Sequence, residues 1–166
     1  MAARFLWTIV MSTLAFISGR SAPEPARLVN AKEIKELIAG HEGEVVLLNF
    51  WATWCPPCLV EFPEIVELEK IYRDRGFAVI SVSADPPERV ETDLIPFLQK
   101  ENPGFPVYVR KREDPEKFTR AIDPQWTGKI PATFFYDRQG KPSVKRYSPM
   151  TREEIVKIAE YLLGEQ

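Results

Sequence analysis

Residues 44–58 read EVVLLNFWATWCPPC, and this stretch decides the fold. Its first half, Glu44 to Trp51, is a nearly continuous apolar run of β-formers. Such a run marks a central strand buried on both faces, as in a parallel sheet covered by helices. Its second half holds Cys55 and Cys58, the only two cysteines of the chain, separated by two prolines. From Pro56 the pattern turns helical, with Leu59, Phe62, Ile65, Val66, Leu68, Glu69 and Tyr72, and it stops at Gly76. The thiols therefore sit where a buried strand gives way to a helix. In open α/β sheets that edge, at the carboxyl ends of the strands, is where chemistry gathers.

Working outward, FAVISVS at 77–83 is a second buried strand. Two such strands flanking a helix make a βαβ unit, parallel and right-handed. Upstream, Asn30 with Glu33 resembles a capping box, and Ile34, Leu37 and Ile38 stripe a short helix ending at Gly40. Downstream, 88–100 is predicted helical, 106–109 a short strand and 115–122 a short helix. ATFFYD (132–137) and SVKRYS (143–148) read as a hairpin joined through DRQGK. Thr151 and Glu154 form a second capping box that opens a last helix striped by Ile155, Ile158, Ala159, Leu162 and Leu163. The order α-β-α-β-α-β-α-β-β-α gives an α/β fold: a mixed sheet with helices on both faces.

The 166 residues suit one domain with a real core. An apolar share of 45% and a charged share of 28% are those of an ordinary soluble domain. A net charge of -2 gives no reason to expect a nucleic-acid partner. Residues 1–21 read as a signal peptide: a positive start, an apolar run over Phe5–Ile17, and a small-residue exit with Gly19 and Ser21 placed for cleavage after Ser21. The run is short for a membrane span, which needs about 20 apolar residues. The alternative is an uncleaved anchor at residues 5–17. No cysteine lies near residue 20 to carry a lipid. Cleavage would remove Arg4 and Arg20 and take the charge from -2 to -4. Residues 22–29, with Pro23 and Pro25, read as a linker, and 30–166 as the domain. An exported, periplasmic or extracytoplasmic, protein can hold its thiols oxidised.

Four readings compete for the thiols. A zinc site needs four ligands, and His41 is the only histidine to add to the two cysteines. Attachment of c-type haem would need a histidine where Leu59 stands. A structural bridge over so short a loop removes little chain entropy. A redox pair fits the position: a helix start carries partial positive charge and free N–H groups, which stabilise a thiolate and make it reactive.

WCPPC after an apolar strand, Pro63 five residues beyond Cys58, and Ile130-Pro131-Ala132-Thr133 opening a later strand resemble the thioredoxin superfamily. LLNFWATWCPPC, the export segment and the α-β insert before Ile130-Pro131 resemble its TlpA/ResA-like secreted branch, over roughly residues 40–163. The resemblance implies a thioredoxin-like sheet and thiol-disulfide exchange on exported proteins, for example in cytochrome c maturation. Cys55 is then the exposed attacking thiol and Cys58 the buried resolving thiol. Pro131 is the cis-proline facing the pair, Ile130 offers backbone groups to an extended substrate, and Trp54 is the aromatic beside the dithiol. The alternative for Trp54 is a shielding apolar residue. The resemblance implies no cofactor beyond the Cys55–Cys58 disulfide, no metal, a monomer, protein thiol and disulfide substrates, and a membrane-embedded thiol donor.

Thioredoxins place an Asp six residues before the first cysteine; here that position is Asn49, which cannot titrate. Some members of the branch carry an acid after the second strand, where Asp85 stands; it reads equally as a turn residue before Pro86-Pro87. The cluster Arg110-Lys111-Arg112 reads as a solvated loop with no role. Pro56 and Pro57 lack N–H groups, which leaves the Cys58 N–H as the first-turn donor for the Cys55 sulfur. A thiolate so poorly supplied makes a reductant rather than an oxidant. A copper(I)-handling assembly factor, binding through the two thiolates, is the non-enzymatic alternative, and a disulfide oxidase or isomerase the enzymatic one.

Overall fold

The structure is a computed structural model that describes residues 26–164. The expected export segment at residues 1–21 lies outside the described residues. The chain enters the sheet earlier than its pattern predicts. Leu28–Val29, expected in the linker, form a two-residue strand, β1, parallel to Val109 and Arg110 of a later strand. Two residues are too few to show alternation, but Val29 is fully buried and its carbonyl accepts from the Lys111 N–H at 2.8 Å.

Helix α1 spans Ala31–Ala39 and starts at the Asn30–Glu33 capping box, with both reciprocal hydrogen bonds formed at 2.7 and 2.9 Å. Strand β2, Val45–Trp51, is buried at all seven positions. Helix α2, Pro56–Tyr72, passes through a 3₁₀ turn at Arg73–Arg75 to Gly76 (φ +81°). Only glycine takes that left-handed position without strain. It turns the chain into β3, Phe77–Ser83, which pairs with β2 in parallel along its whole length, Val45 with Phe77 through Trp51 with Ser83.

The single helix predicted for 88–100 is broken. Pro87–Arg89 form a 3₁₀ turn, Val90–Leu94 a π turn, and only Ile95–Glu101 are α-helical (α3). Pro96 is the cause: it has no N–H for the carbonyl four residues back, so the chain widens ahead of it and the Ile95 N–H reaches back five residues to Val90. Strand β4, Val107–Arg110, pairs in parallel with β3. Helix α4, Pro115–Ile122, is capped by Asp114. Strands β5, Ala132–Tyr136, and β6, Pro142–Arg146, are antiparallel, and α5, Arg152–Leu163, closes the fold from the Thr151–Glu154 capping box.

The sheet order is β1-β4-β3-β2-β5-β6. Residues alternate between its faces, as a pleat requires. Val45, Leu47 and Trp51 pack with Phe62, Ile65 and Leu68 of α2 and Ile155 of α5. Val46, Leu48 and Phe50 pack with Ile34 of α1, Phe118 of α4 and Trp126. Each fully buried large side chain contributes about 1.5–3 kcal/mol. With β2 in the middle, its carboxyl end is fixed from both sides, and the thiols follow it by four residues.

Candidate redox site

Cys55 is the N-cap of α2, with extended backbone (φ -104°, ψ 96°), and is disulfide-bonded to Cys58 one turn inside the helix. The prolines at the first two helical positions are tolerated because the N–H groups they lack have no helical partner there. The Cys58 N–H, expected to be the donor left for the Cys55 sulfur, donates to the Cys55 carbonyl at 3.0 Å, and the Leu59 N–H joins it at 3.2 Å. The first turn closes on that carbonyl and has no uncommitted N–H to aim at the sulfur.

Cys55 was expected to be exposed. In the disulfide form it is 5% exposed and Cys58 1%. Both cysteines are thus buried in this form, Cys55 slightly less than Cys58. Trp54 beside them is 54% exposed. It is not a packed core residue, in contrast to Trp51, which is fully buried and donates from Nε1 to Ser81 Oγ at 2.7 Å.

The loop between β2 and α2 is held from below by Asp85. Its carboxylate accepts from the Thr53 N–H at 3.0 and 3.3 Å, from Thr53 Oγ1 at 2.6 Å and from Ser83 Oγ at 2.6 Å. Asp85 is 1% exposed. Its oxygens are occupied by the loop, so the structure makes it a clamp on Thr53, two residues before Cys55.

Antiparallel pairing of β2 with β5 places Phe50 opposite Ala132. One and two residues further, the same register sets Pro131 and Ile130 beside the end of β2, on the edge that leads to the dithiol. The Ile130–Pro131 peptide is cis. Ile130 is half-buried and packs against both core clusters.

Asn49 lies under α2, 2% exposed, and its Nδ2 donates to Thr133 Oγ1 at 3.0 Å. The Thr133 hydroxyl in turn donates to Glu61 Oε1 at 3.3 Å. Glu61 is a site residue that the sequence reading missed. It is 3% exposed, and its Oε2 has no hydrogen-bond partner among the described residues. Burial pushes its carboxyl up to about 7, against the opposing pull of the Thr133 and Met150 hydrogen bonds. The signal was present in the spacing: Cys58, Glu61, Ile65 and Leu68 recur at three and four residues, on one helix face. That face is the buried one, and it places Glu61 one turn below Cys58.

Beside the dithiol, on the face of the sheet that carries α4, lies a cavity of about 610 Å³. Trp54, Ala84, Arg110, Thr119, Trp126 and Ile130 are among the residues that line it. Among the described residues, no group of three or more His, Cys, Asp or Glu side chains is placed to hold a metal ion, and no helix is long and apolar enough to cross a membrane.

A dithiol at a helix start, on the carboxyl edge of a sheet ordered in this way, can be compared with known proteins. The model of the AhpC/TSA family matches residues 19–142. The chain belongs to the AhpC/TSA family of thioredoxin-like proteins. Its relatives include the thiol-disulfide oxidoreductase ResA of Bacillus cereus, 32% identical over 74% of this chain. The chain spans 64% of that protein's length. The thioredoxin-like protein YneN of Bacillus subtilis is 30% identical, over 82% of this chain and 75% of its own. Among solved structures, a thioredoxin-family thiol:disulfide interchange protein of Chlorobium tepidum superposes with a TM-score of 0.65, at 24% identity, covering 87% of this chain and 99% of that one. That likeness shows the thioredoxin-like fold, with its α-β insert between β3 and β5, as the sequence pattern predicts.

Proposed function

We propose that this protein is a thiol-disulfide oxidoreductase that reduces disulfides in exported proteins. The observation that carries the reading is the Cys55–Cys58 disulfide at the start of α2, on the carboxyl edge of the sheet. In the reduced protein the Cys55 thiolate attacks one sulfur of a substrate disulfide. A mixed disulfide forms and the first substrate thiolate leaves. The Cys58 thiolate then attacks the Cys55 sulfur, the Cys55–Cys58 bond forms, and the second substrate thiolate leaves. Two electrons pass to the substrate, and each substrate thiolate takes up a proton.

No cofactor beyond the disulfide takes part. Ile130 and Trp54 flank the substrate segment, and Pro131 faces the pair. Glu61, titrating near neutral pH one turn below Cys58, is placed to receive the proton that Cys58 sheds. Thr133 holds its carboxyl by a hydrogen bond, and Asn49 donates in turn to the Thr133 hydroxyl. The protein returns to its dithiol form by exchange with a membrane-embedded thiol donor. Its work is extracytoplasmic, and cytochrome c maturation is one process that consumes such reducing power. The names of ResA and of the interchange protein support this class of chemistry.

The test is to trap the first step. A Cys58→Ser variant keeps the attacking thiol and lacks the resolving one, so it should accumulate mixed disulfides with extracytoplasmic proteins. Those adducts should run as dithiothreitol-sensitive bands absent from Cys55→Ser. Equal trapping by both variants, or by neither, contradicts the reading.

A further inference from the structure

Arg110 was expected in a solvated loop. It is instead the last residue of β4, half-buried, with its guanidinium carbon 5.3 Å from the Phe118 ring centroid. Its two neighbours are committed elsewhere. Lys111 Nζ is 2.8 Å from Glu33, and Arg112 pairs with Glu88. Arg110 alone of the three has no carboxylate within ion-pairing distance among the described residues.

Arg110 lines the cavity beside the dithiol. The other charged residues of that lining are Glu116 and Arg120, which pair with each other at 2.5 Å. Their charges offset, so the cavity keeps one uncompensated positive charge. The planar fork over an aromatic face is held in place and suits a carboxylate better than a flexible ammonium would.

Sheet register gives its distance from the chemistry. Trp51 pairs with Ser83, and Ser83 with Val109, so Arg110 leaves the same edge as the β2–α2 loop, two strands away. Two strand spacings are roughly 10 Å. An extended chain covers that in about three residues.

Resting on the dithiol-exchange reading above, we propose that Arg110 is a specificity-determining residue: it binds a carboxylate carried about three residues from the reacting cysteine of an extended protein substrate. The cavity between Trp54, Ile130 and Trp126 takes the intervening segment. Substrates with acidic flanks are then reduced faster than neutral ones.

The test uses two peptides with one central cysteine held as a mixed disulfide with 2-thiopyridine. One has Glu three residues to either side of the cysteine, and the other has Gln at both places. The full chain, reduced and freed of reductant, attacks the peptide sulfur, and thiopyridone release is followed by absorbance. Rates are divided by that on neutral 2,2′-dithiodipyridine, which corrects for folding and thiolate content. The wild type should favour the Glu peptide about tenfold at low salt. The ratio should fall toward one in 1 M salt, where the Debye length is about 3 Å. Arg110→Met should bring the ratio to about one at any salt, and Arg110→Lys should restore it in part. Equal rates on the two peptides in the wild type, a salt-independent ratio, or a full preference in Arg110→Met would overturn the assignment. No thiopyridone release from any disulfide by the reduced wild type would instead overturn the dithiol-exchange reading on which it rests.

Discussion

Glu61 and Cys58 share the face of α2 that points into the core, and burial pushes the Glu61 carboxyl up to about 7 from an ordinary 4.5. A carboxyl whose folded value is raised binds its proton more tightly in the folded state. Its contribution is therefore fully present below about 4.5 and is lost as pH rises through about 7. The loss integrates to roughly 3 kcal/mol, at about 1.4 kcal/mol per pH unit. Glu61→Gln should remove that slope. Urea unfolding of both proteins at pH 5 and pH 8 measures most of it: the variant should gain stability relative to wild type by about 2.5 kcal/mol on going to the higher pH. An unchanged difference between the two pH values would mean that Glu61 is already ionised in the folded protein at pH 5. The cysteines were legible at this scale because their spacing is a chemical signature. Glu61 was not singled out, because a charged residue on a helix is read as solvent-facing until its phase against Cys58, Ile65 and Leu68 is counted.

At the scale of elements, the strand–loop–helix junction depends on one buried carboxylate. Asp85 collects the Thr53 N–H, the Thr53 hydroxyl and the Ser83 hydroxyl. Asp85→Ala leaves these groups without an acceptor, which costs about 3 kcal/mol if each unpaired buried group costs 1–3 kcal/mol and part of the loop is rehydrated. The urea midpoint should fall accordingly. Asp85→Asn, which keeps an acceptor oxygen, should lose less. If Asp85 served the dithiol as a proton carrier, Asp85→Asn would change the pH profile of thiol exchange and leave stability in place. Most element boundaries were readable because each is set by local chemistry: the capping boxes at Asn30 and Thr151, the prolines opening α2 and α4, and Gly76 closing the turn after α2. The misread elements are set by something non-local or by a single missing donor. Strand β1 exists because β4 offers a free edge to two residues, which no periodicity can reveal. The break ahead of α3 follows from the one N–H that Pro96 lacks, inside an otherwise good apolar stripe.

The whole molecule brings residues from β2, β4 and β5 to one edge of the sheet, and only the strand order shows it. Cys55 is 55 positions from Arg110 and 76 from Pro131 along the chain; the register of β5, β2, β3 and β4 aligns them. Arg110 read as loop for this reason: its strand is four residues long and lies within the insert between β3 and β5. The same assembly sets the redox poise. The first turn of α2 has two prolines, and its next N–H groups close on the Cys55 carbonyl, so a thiolate at Cys55 gains little from them. A reduced form stabilised so weakly releases its electrons readily.

The reduction potential of the Cys55–Cys58 pair measures this most directly. The protein is equilibrated in dithiothreitol or glutathione buffers, and the dithiol fraction is followed by the fluorescence of neighbouring Trp54 and Trp51 or by thiol alkylation. A value near that of thioredoxin, about -270 mV, is expected, and not that of a strong disulfide oxidant, about -120 mV. The interval of about 150 mV between them corresponds to roughly 7 kcal/mol for a two-electron couple. A potential above about -150 mV would contradict the reductant reading and make the protein a disulfide oxidase.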